Sequence, residues 1–302
     1  MFQGTLPAII TPFKKDGKID EEALRALIHF CIEEKVDGIV PCGTTGESAT
    51  LTHEEHKEVV RITVQAVNRR IPVLAGTGSN STAETIELTR AAKKAGADGA
   101  LLISPYYNKP TQEGIYQHYK KVAQETSFPL ILYNVPGRTA LNILPETVAR
   151  LSGIREITGI KEASADLRQI SKIIELCRED FVVLSGDDFT ALPTLDIGGQ
   201  GVISVVANVA PGKMSEMVRA FFDGDPDQAR SLHYELLRLM EAMFFETNPI
   251  PVKTALHLMG KCEDEFRLPL CRMGEVNRNR LSAVMNEYGL IPADRRQDPA
   301  AF

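Results

Sequence analysis

A chain of 302 residues, 43% hydrophobic and 25% charged with a net charge of −6, has material for two ordinary domains or one large α/β barrel, and gives nucleic acid or an anionic membrane no electrostatic hold. Its five cysteines (Cys31, Cys42, Cys177, Cys262, Cys271) are odd in number and lack C-x-x-C spacing, which fits a reducing cytosol better than a disulfide framework. No run approaches the ~18 apolar residues of a membrane span, and residues 1–7 lack the basic and apolar regions of a secretory leader, so a cytoplasmic protein is expected.

Residues 6–10 form the first apolar strand candidate, ended by Thr11-Pro12. Ala23, Leu24, Leu27, Ile28, Cys31 and Ile32 then recur at helical spacing behind Asp20, placed as an N-cap. The next strand, 38–40, runs into Pro41-Cys42-Gly43-Thr44-Thr45-Gly46-Glu47. Thr52 and Glu55 then match a capping box, opening a helix whose Val59, Ile62, Thr63, Ala66 and Val67 share a face. Residues 72–75 lead into Gly76-Thr77-Gly78-Ser79-Asn80 and a second capping box from Ser81 to Glu84. Residues 99–103 lead into Ser104-Pro105-Tyr106-Tyr107-Asn108 and a helix after Glu113. The strand at 130–134 carries Tyr133 and turns into a loop with Arg138, and the strand at 157–163 carries Lys161. Residues 181–184 run into Ser185-Gly186-Asp187-Asp188, and residues 201–205 into Val206-Ala207-Asn208.

Eight short strands alternating with helices imply a parallel sheet closed as a (β/α)8 TIM barrel, with function at the strand C-termini, where the polar clusters fall. A doubly wound open sheet is the second choice, but its G-x-G-x-x-G sign is missing after the first strand. After about Pro211 the pattern turns helical, with helices expected near 229–245 and 251–259. The expected division is a barrel over 1–224 carrying the active site and a C-terminal helical appendage over 225–302, which covers the barrel or joins subunits. Residues 292–299 read as a loose polar tail.

Lys161 is a cation in an odd place, at the end of an apolar strand. If its strand neighbours that of Tyr133, an amine, a phenol and the Arg138 guanidinium converge at one end of a sheet, a set suited to carbonyl chemistry through a Schiff base. The amine attacks only when deprotonated, and burial can bring a lysine pKa to roughly 7–8. The plainer alternative is a lysine that snorkels to solvent or pairs with a glutamate. The 43–47 turn offers two hydroxyls and free N–H groups to a small carboxylate, against a plain glycine turn. A phenol of pKa ~10 needs partners to shuttle protons, and Thr44 and Tyr107 could relay for Tyr133. Tyr106 and Tyr107 could equally be rim aromatics at a subunit contact. Arg138 reads as a clamp for a second carboxylate or as a surface ion pair. The histidines of His53-Glu54-Glu55-His56 are three apart where the metalloprotease motif needs four, so no metal is expected there, and Asp187-Asp188 reads as loop and helix capping.

On the stretch Gly38-Ile39-Val40-Pro41-Cys42-Gly43-Thr44-Thr45-Gly46-Glu47, and on the span from Tyr133 through Gly159-Ile160-Lys161-Glu162-Ala163, the chain resembles the dihydrodipicolinate synthase family of the pyruvate-dependent class I aldolase superfamily. The likeness covers nearly the whole chain and is loose only after Gly260. It implies a lyase of the diaminopimelate route to lysine that condenses pyruvate with L-aspartate-4-semialdehyde, with no metal or organic cofactor. Lys161 would form the Schiff base, and Thr44 and Thr45 would hold the pyruvate carboxylate. Tyr133, Thr44 and Tyr107 would make the proton relay, Tyr107 reaching into a neighbouring subunit's site. Arg138 would bind the carboxylate of the semialdehyde, with Gly186 and Ile203 lining the pocket. The resemblance further implies inhibition by L-lysine at a subunit interface through Ser48, Ala49, His53, His56, Asn80, Glu84 and Tyr106, and a homotetramer built as a dimer of dimers. N-acetylneuraminate lyase and 2-keto-3-deoxy-sugar-acid aldolases share the lysine, the tyrosine and the turn, but Arg138 and Tyr107 favour the synthase over both. A non-catalytic sensor of pyruvate or lysine on the same barrel is the rival from another class.

Overall fold

Strands this short and this uniformly apolar need cover on both faces, which a parallel sheet under helices supplies. The computed structural model, which describes residues 2–292, has that form. Its strands are β1 (Gly4–Pro7), β2 (Leu74–Gly76), β3 (Gly99–Ile103), β4 (Leu130–Asn134), β5 (Ile157–Glu162), β6 (Val182–Ser185) and β7 (Gly201–Ser204). They pair in parallel in the order β1-β7-β6-β5-β4-β3-β2.

The strand expected at 38–40 is the stave that closes the ring between β1 and β2. It shows only the isolated parallel bridges Ala8↔Val40 and Ile39↔Val73. On one side Asp37 N donates to Thr5 O at 2.8 Å and Val40 N to Pro7 O at 3.0 Å; on the other Ile39 N donates to Pro72 O at 3.0 Å and Leu74 N to Ile39 O at 2.9 Å. Pro7, Pro41 and Pro72 carry no N–H, so the ladder cannot lengthen into a regular strand. The barrel is thus closed by backbone bonds that a count of regular strands misses.

Alternation along the staves makes two apolar layers. Leu6, Leu74, Leu101, Ile131, Leu184 and Ile203 fill the barrel interior, while residues such as Ile39, Leu102, Leu132 and Ile160 face the helices. Local signals set the helix starts. Asp20 accepts from Ala23 N at 3.1 Å ahead of helix Glu21–Glu33, and Thr52 and Glu55 form the full capping box of helix His53–Val67. The second box is only half made. The Ser81 hydroxyl accepts from Glu84 N at 3.5 Å, but the Glu84 carboxylate turns away to Ser79 and His53. Helix Gln112–Thr126 begins behind Thr111, just ahead of Glu113.

Beyond β7 the described residues form no further strand. Helices Pro211–Phe222, Pro226–Ala242, Ile250–Leu258 and Glu275–Glu287 follow, the second starting three residues before the expected 229 because Asp225 caps it and Pro226 opens it. The expected loose tail lies, from residue 293 onward, outside the described residues. Among those described, no helix is long and apolar enough to cross a membrane.

Candidate active site

Strand β5 ends the alternation with Lys161 turned into the barrel mouth and Glu162 turned outward. Register pairs Lys161 with Tyr133 of β4, and the amine lies 4.3 Å from the Tyr133 ring centroid. Lys161 is 6% exposed, so the solvent-snorkelling alternative fails. Gly186, one residue past β6, makes room for it: a Cβ there would sit 3.0 Å from Lys161 Cε and 2.6 Å from Ala163 Cβ.

The outward carboxylate does a different job. Glu162 accepts from Asn134 Nδ2 at 3.0 and 3.1 Å, from Gln169 Nε2 at 2.9 Å and from Ser164 N at 2.8 Å. Burial pushes its pKa up against the pull of these donors. The network pins the ends of β4 and β5 together, directly behind the Tyr133–Lys161 pair. No sequence motif marked it.

Thr44, Thr45, Tyr133, Arg138, Lys161 and Gly186 line one cavity of about 170 Å³ at the strand C-termini. Two expected residues are not part of it. Ile203 is fully buried in the inner apolar layer and is not among the lining residues. Tyr107 is 89% exposed with φ +72° on the loop after β3, so the single chain does not bring its phenol to Lys161. Two residues unmarked by the sequence, Phe244 and Asn248, join the wall, together with Asp187, which the sequence marked only as a cap. Burial raises the Asp187 carboxyl. Its neighbour Asp188 accepts from Val205 N and Val206 N at 3.0 Å, tying the loop after β6 to the end of β7, while the helix that follows the pair, Ala191–Asp196, has no side-chain cap. Asn248 Nδ2 donates to Thr45 Oγ1 at 3.0 Å, and Arg138 Nη2 donates to Asn248 O at 3.0 Å. A polar Thr-Asn pair followed by Pro249 and Pro251 signals a rigid loop, the one trace that could have flagged it.

Thr44, Arg138 and Asn248 also border a second cavity of about 450 Å³. Ser48, Ala49, His53, His56, Glu84 and Tyr106 line it. Asn80 does not, but its Nδ2 donates to Tyr106 O at 3.1 Å. The two histidines turn to different partners: His53 Nε2 lies 2.7 Å from Glu84 Oε1, and His56 Nε2 lies 2.7 Å from Gly76 O. Burial lowers the His56 pKa, and the Ser79 hydroxyl, ahead of His53, holds the Glu84 carboxyl below its usual range.

A buried amine beside a phenol, two threonines and a guanidinium around one small cavity at the C-terminal mouth of a (β/α)8 barrel defines a protein of the Schiff-base aldolase class. Residues 1–288 match the dihydrodipicolinate synthetase family, and the chain belongs to it. It is 60% identical over 291 residues to the 4-hydroxy-tetrahydrodipicolinate synthase of Thermodesulfovibrio yellowstonii, covering 96% of this chain and 100% of that one. Among solved structures, the dihydrodipicolinate synthase of Acinetobacter baumannii complexed with pyruvate superposes with a TM-score of 0.95 at 47% identity, over 96% of this chain and 100% of that one. That of Cyanidioschyzon merolae with lysine bound superposes with a TM-score of 0.93 at 40% identity, over 96% and 99%.

Proposed function

We propose that the chain is a lyase of lysine biosynthesis that condenses pyruvate with L-aspartate-4-semialdehyde, the 4-hydroxy-tetrahydrodipicolinate synthase reaction, through a Schiff base on Lys161. The observation that carries this is the Lys161 amine, 6% exposed and held against Tyr133 beside the Thr44-Thr45 turn. The Lys161 amine adds to the keto carbon of pyruvate and expels water, while Thr44 and Thr45 hold its carboxylate. Tyr133 and Thr44 carry protons between the amine, the departing water and the pyruvate methyl group. The resulting enamine carbon attacks the aldehyde of the second substrate, whose carboxylate rests on Arg138. The substrate's own amine then displaces Lys161 and closes the ring. No metal or organic cofactor enters these steps.

Tyr107 completes the relay from a neighbouring subunit in this reading, which accounts for an exposed tyrosine with positive φ. The assembly is a homotetramer, a dimer of dimers. The barrel gives way at residue 225 to the helical subdomain, which reaches back into the site through Phe244 and Asn248. L-Lysine is the inhibitor assigned to the 450 Å³ cavity, where Glu84 can take its ammonium; the likeness to a relative solved with lysine supports this. The unspaced cysteines favour a cytoplasmic setting.

The test is pyruvate consumption by the purified protein on adding L-aspartate-4-semialdehyde, with N-acetylneuraminate cleavage as the comparison and L-lysine as an additive. Depletion that requires the semialdehyde is expected, and Lys161→Ala should lower it by more than about 10⁴-fold. A fully active Lys161→Ala protein would sink the mechanism.

A further inference from the structure

The turn that carries Thr44 and Thr45 is backbone-strained at both ends. Cys42 sits at φ +55° and Glu47 at φ +52°, left-handed conformations that non-glycine residues hold only when the surroundings over-determine them. The sequence describes the turn; it does not say what holds it. At Glu47 the holder is a lysine from the far end of the chain. Lys253, on helix Ile250–Leu258, forms an ion pair with Glu47 Oε1 in which neither side chain is exposed to solvent. The ammonium is seated between two rings, 4.1 Å from the Phe13 centroid and 5.1 Å from that of Phe266, and donates to Glu265 O at 2.9 Å. Arg267 N donates to the second Glu47 oxygen at 3.3 Å. The carboxylate is therefore gripped from both sides by the segment 253–267.

A fully buried ion pair is weak evidence for stability, because desolvating both charges costs about as much as their attraction returns. Burial indeed lowers the Lys253 pKa ahead of the opposing pull of Glu47. What such a pair does well is fix a geometry, since either charge without the other is strongly disfavoured in that site. Here the geometry fixed is the turn that presents two hydroxyls to the cavity. Asn248 holds Thr45 at its middle and Lys253 holds Glu47 at its end, so both anchors come from one short stretch of the C-terminal region.

We propose that Glu47 and Lys253 are positioning residues for pyruvate: the buried pair latches the Thr44-Thr45 turn in the shape that receives the pyruvate carboxylate, and loosening it weakens pyruvate binding while sparing the second substrate. This rests on the functional reading above and adds to it. Neither Glu47 nor Lys253 lines the cavity that holds Lys161, so the latch acts on where the substrate's carboxylate is held and not on the nucleophile itself. A displaced turn no longer meets the pyruvate carboxylate in the geometry that binds it, so the loss falls on the pyruvate concentration needed to load Lys161.

The experiment is borohydride trapping of pyruvate on Lys161, followed by mass spectrometry across a range of pyruvate concentrations. Lys253→Met alone strands a buried carboxylate and can fail to fold, so the informative protein is the double variant Glu47→Gln/Lys253→Met, which removes both charges. It should unfold cooperatively like the wild type, need about 10-fold or more pyruvate for half-maximal trapping, and keep its KM for the semialdehyde within about twofold. A folded double variant with unshifted half-saturation overturns this inference alone. Equal losses for both substrates also overturn it, since that is general loosening and not positioning. A wild-type protein that traps no pyruvate overturns the functional reading, and this inference with it.

Discussion

The two walls of the cavity are held by different means. Tyr133 and Lys161 stand on adjacent strands, in register, with the Glu162 network locking those strand ends from behind. Their placement follows from the regular ladder of the barrel, and any chain that closes this sheet puts them side by side. The Thr44-Thr45 turn has no such ladder. It is positioned by side chains more than 200 residues away in sequence, Asn248 on Thr45 and Lys253 on Glu47. The reactive amine is thus built into the fold, whereas the substrate's anchor depends on the docking of a separate helical region. Damage to the first wall should strike the chemical step, and damage to the second should strike the affinity for pyruvate.

The sharpest break of this contrast after loss of Lys161 itself is Tyr133→Phe. It deletes one hydroxyl from the rigid wall and leaves the ring under the amine. General acid–base contributions run to about 10²–10⁴-fold, so kcat should fall by that much while pyruvate half-saturation stays near wild type. Steady-state rates with both substrates varied will show the split. A Tyr133→Phe protein with normal kcat would remove Tyr133 from the relay.

Asn248→Ala tests the other wall with a smaller expected effect. One hydrogen bond to Thr45 and the shape around Arg138 are lost, and a neutral hydrogen bond nets about 0.5–1.5 kcal/mol, or about 2–10-fold in pyruvate KM. The kcat at saturating pyruvate should hold within about twofold. A fall in kcat with KM unchanged would mean that Asn248 acts on the chemistry and that the two walls are not separable.

The same contrast decides what could be read from the residues. Lys161, Tyr133 and the 43–47 turn announce themselves locally, as a cation at the end of an apolar strand, an aromatic at the end of the next, and glycines flanking hydroxyls. The eightfold alternation likewise carries the barrel, even though the stave at 38–40 is too short to count as a regular strand. Asn248 and Lys253 were invisible for the opposite reason. Residues 250–258 read as an apolar helix with one lysine, and nothing local says that the lysine points inward to a glutamate 206 positions earlier. Ile203 came from the family resemblance and not from any local signal; its side chain lies in the inner apolar layer, outside the lining of the 170 Å³ cavity. The Ser81–Glu84 box is only half made because the Glu84 carboxylate is taken by the Ser79 hydroxyl and, across two helices, by His53.

The smallest effect is expected at the outer edge of the second wall, where Arg267 ties the C-terminal region to helix His53–Val67. Its guanidinium donates to Glu55 Oε2 at 2.7 Å and to Thr50 O at 3.0 Å, while its backbone N–H holds Glu47. That hydrogen bond from Arg267, more than the backbone bond at Thr52, draws the Glu55 pKa down to about 2 from 4.5. Because the folded value lies below the ordinary one, the pair's contribution to stability is complete above pH ~4.5 and is lost as pH falls toward about 2. The shift sets a ceiling of about 3 kcal/mol, and with the Glu55 side chain 29% exposed, solvent screening brings the expected figure to about 1–2 kcal/mol. Urea titrations of the wild type and Glu55→Gln should therefore differ by that amount at pH 6, and the gap should narrow steadily as pH falls from 4.5 toward about 2. Since the Arg267 backbone contact survives the substitution, pyruvate KM should move by less than about threefold. A stability gap that stays flat from pH 6 to 3 would mean that the Arg267 bond does not hold Glu55 ionised. A large rise in pyruvate KM with an intact Glu47–Lys253 pair would place the anchor of the turn at Arg267 instead of Lys253.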